Sequence, residues 1–245
     1  MHLIPGLLAM MLSLSMFSFQ AKTQQTKTAH KSLSIQEKSI ITVSSFTANG
    51  DLPKLKAALN EGLQAGLTVN EIKEVLVHCY AYCGFPRSIR GLQTFMTVLE
   101  ERKAKGIEDI AGADASVITE KTTKYDRGKK ILSELAKTPP PGKLSGYSAF
   151  APVIDTFLKE HLFADIFERD VLAYAQRELV TIAVISSIGD AEPMLQGHLS
   201  IALNTGISRE QLLEFISIIK ETAGSEKATS AQEVLNEVLK NRKSL

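Results

Sequence analysis

Cysteine is scarce in this chain of 245 residues: Cys79 and Cys83 are the only two. Two thiols do not make a disulfide scaffold, and a chain of this length can bury a core without one. A dominant sign of charge is also missing. Lysine and arginine total 28 against 27 acidic residues, which leaves no electrostatic footprint for nucleic acid. No H-E-x-x-H, no paired C-x-x-C and no phosphate-cradling glycine loop occurs, so the sequence carries no metal or nucleotide motif. No stretch alternates apolar and polar residues over a useful strand length, and the predicted fold class is all-α.

What is present begins with an uncharged run, Leu3 to Phe19, followed by a polar stretch from Gln20 to Ser32. This pattern predicts a secretory signal peptide over residues 1–21, removed at or near Ala21. The basic start usual in such peptides is missing, and an uncleaved anchor is the alternative. Pro5, Gly6 and the serines favour the cleaved form. The rest of the chain is then exported, periplasmic or secreted, with no stable membrane insertion.

The remainder repeats itself. Residues 36–75 align without a gap on residues 176–215 at a constant offset of 140 (176 − 36). Identical pairs include Gln36/Gln176, Pro53/Pro193, Leu55/Leu195, Leu59/Leu199, Leu63/Leu203, Gly66/Gly206 and Glu74/Glu214; Gly84/Gly224 and Leu99/Leu239 follow further on. Proline suits the first turn of a helix. Leucine at every fourth position forms an amphipathic stripe. Gly66 and Gly206 suit the left-handed position past a helix end. Thr68 with Glu71, and Ser208 with Gln211, read as capping boxes opening the next helix. Each copy therefore reads as helix, helix, tight glycine turn, helix. The units are predicted at 33–102 and 147–242. A linker, 103–146, holds one helix between Ser116 and Leu135 and a proline-rich loop. A further helix from Phe150 to Phe167 is expected to pack on the second copy.

Several phrases of the second copy occur in a telling order: Phe163-Ala-Asp-Ile-Phe-Glu-Arg169, Arg177-Glu-Leu-Val-Thr-Ile-Ala183, and His198-Leu-Ser-Ile-Ala-Leu-Asn-Thr-Gly206-Ile-Ser208. The first copy carries Tyr82-Cys-Gly-Phe-Pro86. With these the chain resembles the carboxymuconolactone decarboxylase family, over nearly all of the chain after the leader. The resemblance implies an alkylhydroperoxidase D-like helical fold, here duplicated. It also implies a cofactor-free lyase acting on a small carboxylated or lactone substrate, and a homo-oligomer, a trimer of duplicated chains. Ala164 and Cys83 depart from the family's usual glycine and alanine. Peroxidases of the same superfamily carry C-x-x-C-x-x-x-H. Here His198 takes the histidine place, while Ala191 and Met194 stand at the two cysteine places. The first copy has Asp51, Lys54 and Ala58 at the three positions. Thiol-based peroxide reduction needs a thiolate and a resolving thiol, so the antioxidant reading is disfavoured. Cys79 and Cys83, four residues apart on one helix, read as small buried hydrophobes.

Four residues carry the expected chemistry. His198, at the edge of the apolar stripe, can pass a proton near neutral pH; the alternative is a histidine satisfied by one carbonyl at a helix boundary. Glu178, at the head of an otherwise apolar stretch, can serve as acid or base, or simply sit favourably in a first helical turn. Arg169 and Arg177 can hold a substrate carboxylate bidentately, or form structural ion pairs with Glu168 or Asp165. Arg87 and Arg90 are weaker candidates. One catalytic and one structural copy are expected, since Ala58 stands opposite His198.

Overall fold

The computed structural model describes residues 32–139 and 142–243. The expected signal peptide and its cleavage lie outside the described residues. The first copy comprises α1 (Ile35–Asn49), α2 (Leu52–Gln64) and α3 (Val69–Ala104). After it come α4 (Lys124–Ala136), the short α5 (Gly146–Phe150) and α6 (Pro152–Phe157), and a wide π-helical segment (Leu158–Phe167). The second copy comprises α7 (Tyr174–Ile188), α8 (Glu192–Asn204), α9 (Arg209–Ala223) and α10 (Ser225–Lys243). Among the described residues there is no strand, and no helix is long and apolar enough to cross a membrane.

The repeat is physical as well as textual. Pro53 and Pro193 lie in the first turns of α2 and α8. Gly66 and Gly206 adopt φ of 93° and 102°, and both capping boxes form. Gly84 (φ 78°, ψ 164°) and Gly224 (φ 97°, ψ 166°) share a backbone region open only to glycine. They break the third helix of each copy, so each copy has a fourth helical segment that the periodicity did not show. Cys83 is consequently the last residue before a break rather than a mid-helix residue.

One core serves both copies. α1 and α7 lie at its centre, packed on each other; α1 also packs on α9, and α7 on α3. Helices so placed are buried all round, which is why Arg177 to Ser187 are buried without a break. Serine and threonine survive there by bonding carbonyls one turn back, as Ser44 does to Ile40 and Ser187 to Ala183, each at 2.7 Å. Ser45 and Ser187 also meet across the α1–α7 contact at 2.8 Å.

The inter-copy segment differs from expectation. The predicted single helix over Phe150–Phe167 runs unbroken from Pro152 to Phe167 but widens from α to π at Leu158, and its main partner is α4 rather than the second copy. Gly128 of α4 sits so close to the Lys159 carbonyl that a Cβ would lie 1.7 Å from the oxygen. A second apolar cluster results: Ile131 and Leu135 of α4, Phe163 and Phe167 of the π segment, and Ile201 of α8, flanked by Tyr80 and Tyr82 of α3.

Candidate functional site

Three helices bring polar groups into an otherwise apolar junction. α3 contributes Glu74, His78 and Tyr82, spaced four apart and so on one face. α7 contributes Arg177, Glu178 and Thr181, and α8 contributes His198. Nδ1 of His198 lies 2.9 Å from Oε2 of Glu178. The glutamate side chain is wholly buried, and the histidine side chain is 15% exposed. An ionised carboxylate can only accept, so Nδ1 carries a proton and Nε2 is the atom left to exchange one. A histidine oriented in this way by a buried carboxylate can take a proton at Nε2 and return it.

Beside this pair runs a closed set of bonds. Arg177 donates through Nη2 to Glu74 Oε1 at 2.8 Å and through Nη1 to His78 Nδ1 at 3.2 Å. Arginine cannot accept, so His78 is neutral with its proton on Nε2, which it donates to Thr181 Oγ1 at 2.9 Å. Thr181 in turn donates to the Arg177 carbonyl at 3.0 Å. Burial, then the Arg177 and His198 charges, hold His78 well below the ordinary histidine range. Phe167 of the π segment closes over the His78 ring edge-on at 5.0 Å. Tyr82 packs between the two histidines, its ring centroid 5.6 Å from His78 and 5.7 Å from His198.

Among the described residues, Tyr82 Oη, Glu178 Oε1 and Arg177 Nε are buried without a hydrogen-bond partner. An unpartnered buried polar group costs about 1–3 kcal/mol, so three in one junction are an expense that packing alone does not account for.

The expected site residues fall into two groups. His198 and Glu178 come together. Arg177 does not reach solvent: the carboxylate it holds is Glu74 of the first copy, and it also bonds the Arg169 carbonyl. Arg169, with its side chain 41% exposed, also pairs with Glu74, through Nε at 2.9 Å. Neither arginine pairs with Glu168 or Asp165, which bind Arg127 and Lys124 instead. Glu74, His78, Thr181 and Tyr82 were not singled out from the sequence. For the three on α3 a signal was polar side chains recurring every fourth residue on a helix whose neighbours Ile72, Val75, Leu76 and Cys79 are core residues.

Both cysteines are free. Burial pushes the Cys79 thiol well above its usual range and Cys83 up to about 11. Cys83 spends its proton on the Cys79 carbonyl at 3.1 Å. Neither offers the exposed thiolate that peroxide chemistry needs.

The sequence profile of the carboxymuconolactone decarboxylase family matches residues 16–95 and 152–237, one stretch for each copy. The chain belongs to the carboxymuconolactone decarboxylase family. It is also similar to a 4-carboxymuconolactone decarboxylase of Acinetobacter baylyi, 27% identical over 119 residues, which cover 48% of this chain and 88% of that protein. Within this family framework the two copies have diverged. At the offset of the repeat, His198 faces Ala58, Glu178 faces Lys38, Thr181 faces Ile41, His78 faces Ile218 and Tyr82 faces Thr222. Only the glutamates agree: Glu74 holds Arg177, and Glu214 holds Lys38. Among the described residues there is thus one such polar junction, drawn from both copies; its pseudo-symmetric counterpart has an ion pair on the matching glutamate, but with its cation at the place of Glu178, since Glu37 stands opposite Arg177, and it has none of the chemistry.

Proposed function

We propose that the chain is a cofactor-free lyase working by proton transfer on a small carboxylated or lactone substrate. His198 is its acid–base group and Glu178 orients it. The observation that carries this reading is the 2.9 Å contact between a wholly buried carboxylate and a histidine at the edge of solvent. Arg169 is the arginine left for a substrate carboxylate, since only its Nε is engaged and it lines a cavity of about 240 Å³ with Phe167, Glu168, Asp170 and Tyr174, where Glu168 is already paired with Arg127. Arg177, which holds the two copies together, is not part of this proposal. The family relationship and the inert thiols support a decarboxylase over a peroxidase. The test is carbon dioxide release from 4-carboxymuconolactone, run beside peroxide consumption with a thiol reductant. Release of carbon dioxide without peroxide turnover is expected; the opposite result sinks the reading.

A homotrimer is part of the same proposal. Beyond Gly84, α3 exposes Phe85, Ile89 and Met96 at 62%, 47% and 60%. Their counterparts on α10 are Ser225, Thr229 and Asn236, all polar. A face apolar in one copy and polar in the other is a feature of assembly rather than of the unit's own fold. Light scattering at micromolar concentration is expected to report a trimer, and Ile89→Glu with Met96→Glu to report monomer. A monomeric wild type would refute the assembly.

A further inference from the structure

Tyr82 is the group that the His198–Glu178 pair leaves unexplained. Its hydroxyl is shielded from solvent and, among the described residues, makes no hydrogen bond. Thr181 lies beside it; that hydroxyl accepts from His78 and donates to the Arg177 carbonyl, which leaves it at most one lone pair for the phenol. Glu178 is close enough for its charge to act on the phenol, and it too has a free oxygen, Oε1. Burial, and after it the Glu178 charge, push the phenol's pKa well above the ordinary tyrosine range, so its proton stays on. A neutral O–H donor with no acceptor within hydrogen-bonding geometry sits edge-on to His198, ring centroids 5.7 Å apart. Phenylalanine would fill the same ring-shaped space without the penalty.

We propose that Tyr82, supplied by the first copy, is the third member of the site: its hydroxyl donates a hydrogen bond to the lactone carbonyl oxygen of the substrate as carbon dioxide leaves. This rests on the decarboxylase reading above. The bond between the ring carbon and the carboxylate breaks, and carbon dioxide departs. The electron pair left behind moves through the unsaturated ring onto the carbonyl oxygen as an enolate. Tyr82 stabilises that oxyanion through a hydrogen bond and keeps its proton. Protonated His198 then delivers the Nε2 proton to a ring carbon, the carbonyl re-forms, and His198 regains a proton from water. The first copy is then more than a structural partner, because Thr222 at the matching place of the second copy cannot supply the phenol.

Tyr82→Phe in the full chain separates this role from a packing role. Loss of an oxyanion donor is expected to lower kcat roughly 10²–10³-fold with KM little changed. Loss of an unpartnered buried hydroxyl is expected to raise Tm, by roughly 2–12 °C. A donor that served only the fold would lower Tm and leave the kcat of the folded fraction alone. Turnover within threefold of the wild type, or a clear fall in Tm, would overturn the proposal for Tyr82 while leaving the decarboxylase reading standing. A wild type that releases no carbon dioxide removes the decarboxylase reading itself, and the oxyanion role with it.

Discussion

His198→Ala is expected to lower turnover roughly a hundredfold or more, the loss typical of a positioned acid–base group, while Cys79→Ala with Cys83→Ala leaves turnover essentially unchanged. The contrast separates two enzyme classes. A thiol peroxidase cannot survive loss of its only two thiols, because no other side chain here accepts the peroxide oxygen and is recycled. A decarboxylase must instead place one proton on the right carbon. The geometry assigns that task to Nε2 of His198, since Nδ1 is tied to Glu178 at 2.9 Å. Cys79 is wholly buried and Cys83 closes a helical segment, so the alanines remove small buried contacts and one weak thiol hydrogen bond to the Cys79 carbonyl. Carbon dioxide release and peroxide consumption should be measured for all variants. Peroxide turnover that disappears with the cysteines would move the site to α3. No turnover of either kind would favour a non-catalytic helical binding protein that kept the fold.

The second large effect concerns stability. Glu74→Ala strands the Arg177 guanidinium, wholly buried, with its carboxylate partner gone. Breaking one side of a buried pair typically costs about 3–5 kcal/mol, because an uncompensated charge stays in the interior. For a chain of this size, at roughly 2–4 °C per kcal/mol, Tm should fall by roughly 6–20 °C. The duplication supplies a control. Glu214 is the same residue in the other copy, but its partner Lys38 is 44% exposed and water screens the pair. Glu214→Ala should therefore cost about 1 kcal/mol or less from the ion pair, with a further modest loss from its bond to the Leu33 amide. Replacing both partners, Glu74→Leu with Arg177→Met, should restore much of what Glu74→Ala loses, since no buried charge remains. Calorimetric melts of the four proteins decide the matter. Equal losses for Glu74→Ala and Glu214→Ala would show that burial does not set the strength of this pair.

Local rules carried the sequence a long way. Caps, first-turn prolines, left-handed glycines and a four-residue leucine stripe are properties of short segments, and α2, α8 and the turns after them follow from those rules alone. The ungapped offset exposed the duplication, and the order of the phrases exposed the family. The pairing of His198 with Glu178 was legible only as two names, because nothing local says that α7 and α8 turn those two side chains toward each other. The destinies of Arg169 and Arg177 were decided by packing. Their partner is Glu74, far away in the sequence and on the other copy, and it wins because a buried guanidinium needs a buried carboxylate, whichever helix supplies it. The same holds for Tyr82. By periodicity it is an aromatic near a helix end; its unpartnered hydroxyl exists only once α3 lies against α7 and α8. Composition and pattern determined the first three helices of each copy and that they form twice, since those depend on neighbours along the chain. Only the tertiary structure decided that the two copies share one polar junction, because that depends on which groups are left without water and must answer to one another.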